Sequence, residues 1–212
     1  LYQAAGVIFG ANIGTTITSQ LVSFNLSEVA PVILLLGVLV MMFSKKESVK
    51  KVAEVIVGFG VLFVGLSTMS EAMAGMKNVP EVVNLLASLR NPFLATLVGL
   101  ILTSIIQSSS VTVSIVLLMA NQGLLALPIC LYIILGCNIG ACTTALLASF
   151  SGKKDAKRAA MIHFLFNVIG TVLLYIILFI AQDQVVSLIS SISADNGRFV
   201  ANSHTIIKIF QV

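Results

Sequence analysis

Tryptophan is missing from this 212-residue chain and charge is scarce: Asp, Glu, Lys and Arg make up 9% of the residues, against 58% hydrophobic. Soluble domains carry about a quarter charged residues, so this composition excludes a water-facing surface and indicates an integral membrane protein. Basic side chains are too few for a nucleic-acid footprint. The net charge is +4, and Lys and Arg fall mostly in two short runs between apolar segments. Cysteine is limited to Cys130, Cys137 and Cys142, an odd number within one apolar segment and without metal-knuckle spacing, so they read as packing residues and no transition metal is expected. No acidic residue accompanies the polar motifs inside the apolar runs. An intramembrane hydrolase pairing one of Ser108 to Ser110 with His163 would lack a carboxylate to orient its base. No signal peptide is visible, and both ends lie inside apolar runs, at Leu1 and Val212, so both are expected to be cut from a larger protein.

The informative stretch is residues 93–125, a long apolar run with Gln107, Ser108, Ser109, Ser110 and Thr112 at its middle. Polar groups at mid-membrane depth are costly unless they face a partner, a cavity or a ligand. From Pro92 to Ala120 there are 29 residues, about 44 Å of helix at 1.5 Å per residue. Two crossings of a core about 30 Å thick do not fit, which leaves one long crossing or a hairpin turning at the polar cluster. The basic loops decide. Residues 45–51 carry four lysines against one glutamate, and residues 151–158 form the second basic loop. Both face the cytoplasm only if residues 93–125 enter and leave by the same side, so the positive-inside rule selects a re-entrant hairpin.

Around it, residues 1–24 form an apolar run interrupted by Gly10-Ala-Asn-Ile-Gly-Thr-Thr-Ile-Thr18, read as a broken or closely packed helix. A polar turn at 25–28 leads to a short apolar run at 29–43. Residues 52–69 are spaced by Gly58, Gly60 and Gly65 for a close neighbour, and 73–90 suit an amphipathic interfacial helix. Residues 126–150 are a full-length run, 159–181 an outward helix, 182–198 an external loop, and 199–212 the start of an inward helix. His163 and Asn167, one turn apart, are read as bonding neighbouring helices, and His204 carries less weight.

Gly10-Ala-Asn-Ile-Gly14 and Gly136-Cys-Asn-Ile-Gly140 begin an ungapped match, with Thr18/Thr144, Leu21/Leu147, Ser23/Ser149 and Phe24/Phe150 also identical. This is an internal repeat at an offset of 126 residues. The topology above runs the copies in opposite directions, the pattern of inverted-repeat secondary transporters, which bind substrate near the midplane at broken helices. The expected organisation is 1–69 as the remainder of a first repeat without its hairpin, 70–92 as an external linker, and 93–212 as the second repeat. The fold class is an all-α integral membrane protein with a re-entrant hairpin and broken transmembrane helices. A helix start after Gln107 offers N–H groups and hydroxyls to an anion, and unwound carbonyls suit Na⁺. No Lys or Arg lies in the hairpin or in either repeated motif, so co-bound cations would have to neutralise the anion.

Gln107-Ser-Ser-Ser110 with the two Asn-Ile-Gly motifs resembles the type II sodium/phosphate cotransporter family in a bacterial form. Arg158-Ala-Ala-Met-Ile-His163 with Phe166-Asn167, and Ala201-Asn-Ser-His-Thr205, are similar to further stretches of that family. The resemblance implies sodium-coupled symport of inorganic phosphate by alternating access, in a multi-pass protein of the plasma (inner) membrane and not an enzyme. Carried over by motif, Ser108, Ser109 and Ser110 would bind phosphate. Gln107, Thr112, Asn138, Thr143, Thr144, Asn12, Thr15 and Thr16 would be sodium ligands. Ala141 and Cys142 depart from the pattern, standing where the first copy has Thr15 and Thr16. Phosphate, Na⁺ and the lipid bilayer are the expected partners, with homodimerisation left open, and no cofactor is expected beyond Na⁺ as the co-transported ion. A carrier of another small anion and a non-transporting phosphate sensor remain as alternatives.

Overall fold

The computed structural model describes residues 2–24 and 26–212, and among these the structure is all helix and turn. Eleven α-helices run in order: α1 Tyr2–Gly14, α2 Thr16–Val22, α3 Ala30–Phe43, α4 Glu47–Met76, α5 Pro80–Ser88, α6 Pro92–Ile106, α7 Ser109–Asn121, α8 Leu127–Gly140, α9 Cys142–Phe150, α10 Lys154–Ser191 and α11 Asn196–Gln211. The expected turn at 25–28 is a 3-10 turn over Leu26–Glu28, and Asn25 lies outside the described residues. Three segments are long and apolar enough to cross a membrane: Glu47–Met76, Leu127–Phe150 and Lys154–Ser191. Large apolar side chains such as Val55, Phe43 and Ile180 point outward from α4, α3 and α10, as a lipid-facing surface requires.

α8 lies at the centre, with ten of its fourteen residues buried. Its neighbour α6 approaches until backbones touch. A Cβ on Gly99 would collide with the Ile133 carbonyl, one on Gly136 with the Thr96 carbonyl, and one on Gly140 would sit 2.7 Å from the Leu100 oxygen. Small residues at a helix crossing permit this approach where lipid offers no hydrophobic drive for association. The paired positions advance together along both helices, so α6 and α8 run parallel, with their first turns at the same end. Only the five residues 122–126 separate α7 from α8. Residues 92–121 therefore leave that end and return to it, as a helical hairpin does. The turn is set by Gln107, whose φ of 58° is the single positive value among the described non-glycine residues. Its N–H donates to the Thr103 carbonyl at 2.7 Å, the left-handed close of a helix C-terminus, and Ser108 then caps α7.

The duplicated motif is interrupted at matching places, between α1 and α2 at Thr15 and between α8 and α9 at Ala141, which are 126 residues apart. The interruption is milder than a broken helix. Both residues keep right-handed helical angles, and the Thr15 and Ala141 N–H groups still donate to the carbonyls four residues back. In the first copy the side chains compete with the ladder: Thr15 donates to the Asn12 carbonyl and Thr16 to the Ile13 carbonyl, each at 2.8 Å.

Several boundaries differ from the sequence reading. α4 begins at Glu47, takes in Lys50 and Lys51, and continues to Met76, which shortens the amphipathic helix to Pro80–Ser88. Of the three glycines expected to admit a neighbour in α4, Gly60 does so, with Leu34 of α3 where a Cβ would go, while Gly58 and Gly65 face open space. The expected external loop 182–198 is mostly helical: α10 kinks at Ala181 (φ −127°, ψ 32°) and continues to Ser191, because Val185, Val186 and Ile189 pack on the core. Asp195 then caps α11, accepting from the Arg198 N–H at 2.7 Å, so that helix starts before residue 199.

α11 runs antiparallel to α1 and α2, fastened along its length. Arg198 donates to Gln20 Oε1 and Ser23 Oγ, both at 2.9 Å, and lies over the Phe24 ring. Gln20 donates to Thr205 at 2.9 Å, and Ser19 pairs with His204 Nδ1 at 3.0 Å. All three cysteines are buried, as the packing reading expects.

Candidate functional site

The hairpin tip and the α1/α2 interruption open into one cavity of about 370 Å³, lined by Asn12, Thr15, Gln107, Ser108, Ser109, Ser110, Ala141, His163 and Lys208, with Val7, Ile8 and Ala11. Ser108 Oγ accepts from the Val111 N–H at 3.3 Å, which holds the first turn of α7 in place. The N–H groups of Ser109 and Ser110 precede the first intrahelical bond and face out of the helix end. Together with the positive end of the α7 dipole they make a donor-rich floor suited to an anion. Ser109 is buried, and Ser110 Oγ reaches the Thr15 carbonyl at 3.5 Å, the outer limit of a hydrogen bond, linking hairpin tip to interruption.

Among the residues read as candidates from sequence, Asn12, Thr15, Gln107, Ser108, Ser109 and Ser110 share this cavity. The others lie behind it or away from it. Thr112 is buried and donates to the Ser108 carbonyl at 3.1 Å. Thr16 is buried against its own helix. Thr143 pairs with Ser104 of α6 at 2.9 Å, and Thr144 is exposed. Asn138 is fully buried, and neither its Oδ1 nor its Nδ2 has a hydrogen-bond partner among the described residues. Thr103 Oγ1, on the face of α6 that meets Gly140, is also buried without a partner.

Lys208 is the residue the sequence reading missed. It sits in the last turn of α11, 1% exposed, and its Nζ donates to Asn12 Oδ1 at 2.6 Å and to Asn167 Oδ1 at 3.4 Å. The sequence reading found no Lys or Arg in the hairpin or the repeated motifs, whereas the fold brings this lysine to the cavity from a distant segment. The available signal was a single Lys among apolar residues, four positions after His204 and so on the same helix face. Asn167 does bond a neighbouring helix, through this lysine, and also donates to the His163 carbonyl at 3.0 Å.

Comparison with known proteins places this geometry. The Na+/Pi-cotransporter family model matches residues 1–71 and 74–194. The chain belongs to the Na⁺/Pi-cotransporter family. Among relatives of this chain, the uncharacterised protein YqeW of Bacillus subtilis is 31% identical over 168 residues, 79% of this chain and 54% of YqeW. The putative inorganic phosphate export protein YjbB of Escherichia coli is 25% identical over 175 residues, 82% of this chain and 32% of YjbB. The human sodium-dependent phosphate transport protein 2C is 40% identical over 89 residues, 40% of this chain and 15% of that protein. The chain thus spans about half the length of the first of these relatives and a third of the second. No solved structure matches it.

Proposed function

We propose that this chain forms part of a Na⁺-coupled symporter of inorganic phosphate in the plasma membrane. Residues 92–121 act as a re-entrant hairpin, and the two Asn-Ile-Gly helices act as oppositely oriented halves of an alternating-access site. The observation that carries the reading is the cavity that joins the serine-capped start of α7 to the α1/α2 interruption, in a member of a family named for Na⁺ and phosphate. Phosphate binds to the N–H groups and hydroxyls of Ser108, Ser109 and Ser110. The sodium ligands come from Gln107, Thr112, Asn138, Thr143, Thr144, Thr15 and Thr16, whose neutral oxygens suit a hard monovalent cation, while the oxygen of the remaining candidate, Asn12, is held by Lys208. Asn138 and Thr103 support a cation site behind the cavity, since a buried polar group without a partner costs about 1–3 kcal/mol and persists where a ligand completes it.

The relatives' names include both an export protein and a sodium-dependent transport protein. The test is therefore made in both directions, with the full-length protein in liposomes loaded or bathed with labelled phosphate. An inward Na⁺ gradient is expected to drive accumulation that a K⁺ gradient does not, and Ser109→Ala to lower the rate by roughly tenfold or more, the loss of a hydrogen bond to a charged ligand. Uptake indifferent to Na⁺ in folded protein would sink the symport reading. Binding without flux in either direction would favour a phosphate sensor.

A further inference from the structure

A buried charge needs a counter-charge, and in this molecule the lysine has none. Among the described residues, Lys208 is the single Lys, Arg, Asp or Glu side chain in the buried set. All eight acidic residues of the chain are exposed, and the ion pairs found are two surface contacts, Lys50 with Glu47 and Arg158 with Asp155. The two groups that hold the Lys208 Nζ, Asn12 Oδ1 and Asn167 Oδ1, are neutral. Neutral oxygens solvate an ammonium without cancelling its charge, and they occupy two of its three donors. The third has no partner among the described residues, and the side chain lines the same cavity as the donor-rich start of α7. Both features therefore ask for an anion.

The internal repeat adds a second observation. Asn12 and Asn138 occupy the same position of the two copies. The Asn138 oxygen is buried and free, whereas the Asn12 oxygen holds an ammonium at 2.6 Å. A lysine nitrogen on a neutral amide oxygen is the stand-in for a monovalent cation on the same ligand.

We propose that Lys208 is the fixed counter-charge for the anion in the Ser108–Ser110 cavity and takes the place of one co-transported Na⁺ at Asn12. This rests on the anion-carrier reading above. It deepens that reading by naming the residue that reduces the Na⁺ requirement.

The experiment measures equilibrium binding of labelled phosphate to the full-length protein in detergent, across a series of Na⁺ concentrations, for wild type and Lys208→Gln. Glutamine keeps a donor for Asn12 and removes the charge. The expected result is phosphate affinity lower by roughly tenfold or more in K208Q, as for loss of a hydrogen bond between charged partners. A log–log dependence on Na⁺ steeper by about one ion is also expected, since a mobile cation must now fill the vacated place. An unchanged affinity or an unchanged slope in folded K208Q overturns the inference and leaves phosphate binding intact. Should K208Q fail to fold, Asn12→Asp decides: a carboxylate there pairs with the Lys208 ammonium and cancels its charge, so phosphate affinity is expected to fall by a similar factor, and an unchanged affinity in folded protein overturns the inference. Labelled sulfate serves as the parallel probe. Sulfate binding that depends on Lys208, with phosphate ignored, keeps the counter-charge and refutes the phosphate reading, whereas wild type that binds neither anion refutes both.

Discussion

At the scale of single residues, the polar groups at the cavity divide by whether the chain satisfies them. Ser108 caps its helix, and Thr15 and Thr16 turn back on the carbonyls of Asn12 and Ile13, so each has a structural partner before any ligand arrives. Asn138 has none, and that makes its role measurable. Replacing it by Leu, which has the same branched skeleton but no polar atoms, removes an unsatisfied buried amide, so Asn138→Leu is expected to hold or raise the melting temperature in Na⁺-free choline buffer. If Asn138 is a sodium ligand, Na⁺ stabilises the wild type by binding the folded state, and the variant loses that increment. A variant that melts lower without Na⁺ and still responds to it would make Asn138 a structural residue. Sequence made Asn12 and Asn138 visible through their repetition. It did not separate them, because what distinguishes them is a lysine 196 residues from one and 70 from the other.

At the scale of helices, the turn between α6 and α7 was readable because a polar cluster interrupts the apolar run, and its re-entrant reading rests on length and charge. Thirty residues cannot cross twice, and two basic loops cannot lie on opposite sides without breaking the positive-inside rule. The hinge residue and the parallel packing of α6 on α8 were less legible, since they depend on Gly99, Gly136 and Gly140 meeting particular carbonyls of another helix. The end of α10 was misread for a related reason. Its polar residues Gln182, Asp183 and Gln184 suggest a loop, while Val185 and Ile189 earn burial that is invisible until α11 is beside them. Gly136→Val is expected to destabilise the protein by about 1–3 kcal/mol or more, as over-packing forces two backbones apart. Gly58→Val, in open space on α4, is expected to leave the thermal midpoint nearly unchanged. Equal melting temperatures for the two variants would show that the α6–α8 contact is not tight in solution.

At the scale of the whole molecule, the ends of the helices report the topology that the proposed mechanism needs. Gln122 donates to Ser70 at 3.2 Å, Asn196 donates to the Ala120 carbonyl at 3.1 Å, and Pro92 shares a cleft with Gln182 and Asp183. The end of α4, the start of α6, the end of α7, the kink of α10 and the start of α11 therefore gather at one end of the bundle. The loop before α4 and the loop between α9 and α10 carry the lysine runs and are expected at the opposite, cytoplasmic face. Single cysteines at Asn91, Gly123 and Ser193 are expected to react with an impermeant thiol reagent from outside intact cells. Cysteines at Lys46 and Gly152 are expected to react only after permeabilisation. The native cysteines are all buried and contribute little background. The pair Asn91 and Gly123 is decisive: both labelled from the same side means that residues 92–121 return to the face they entered. If the two label from opposite sides, those residues cross the membrane, the repeats no longer run in opposite directions, and a site shared between two inverted halves has no geometric basis.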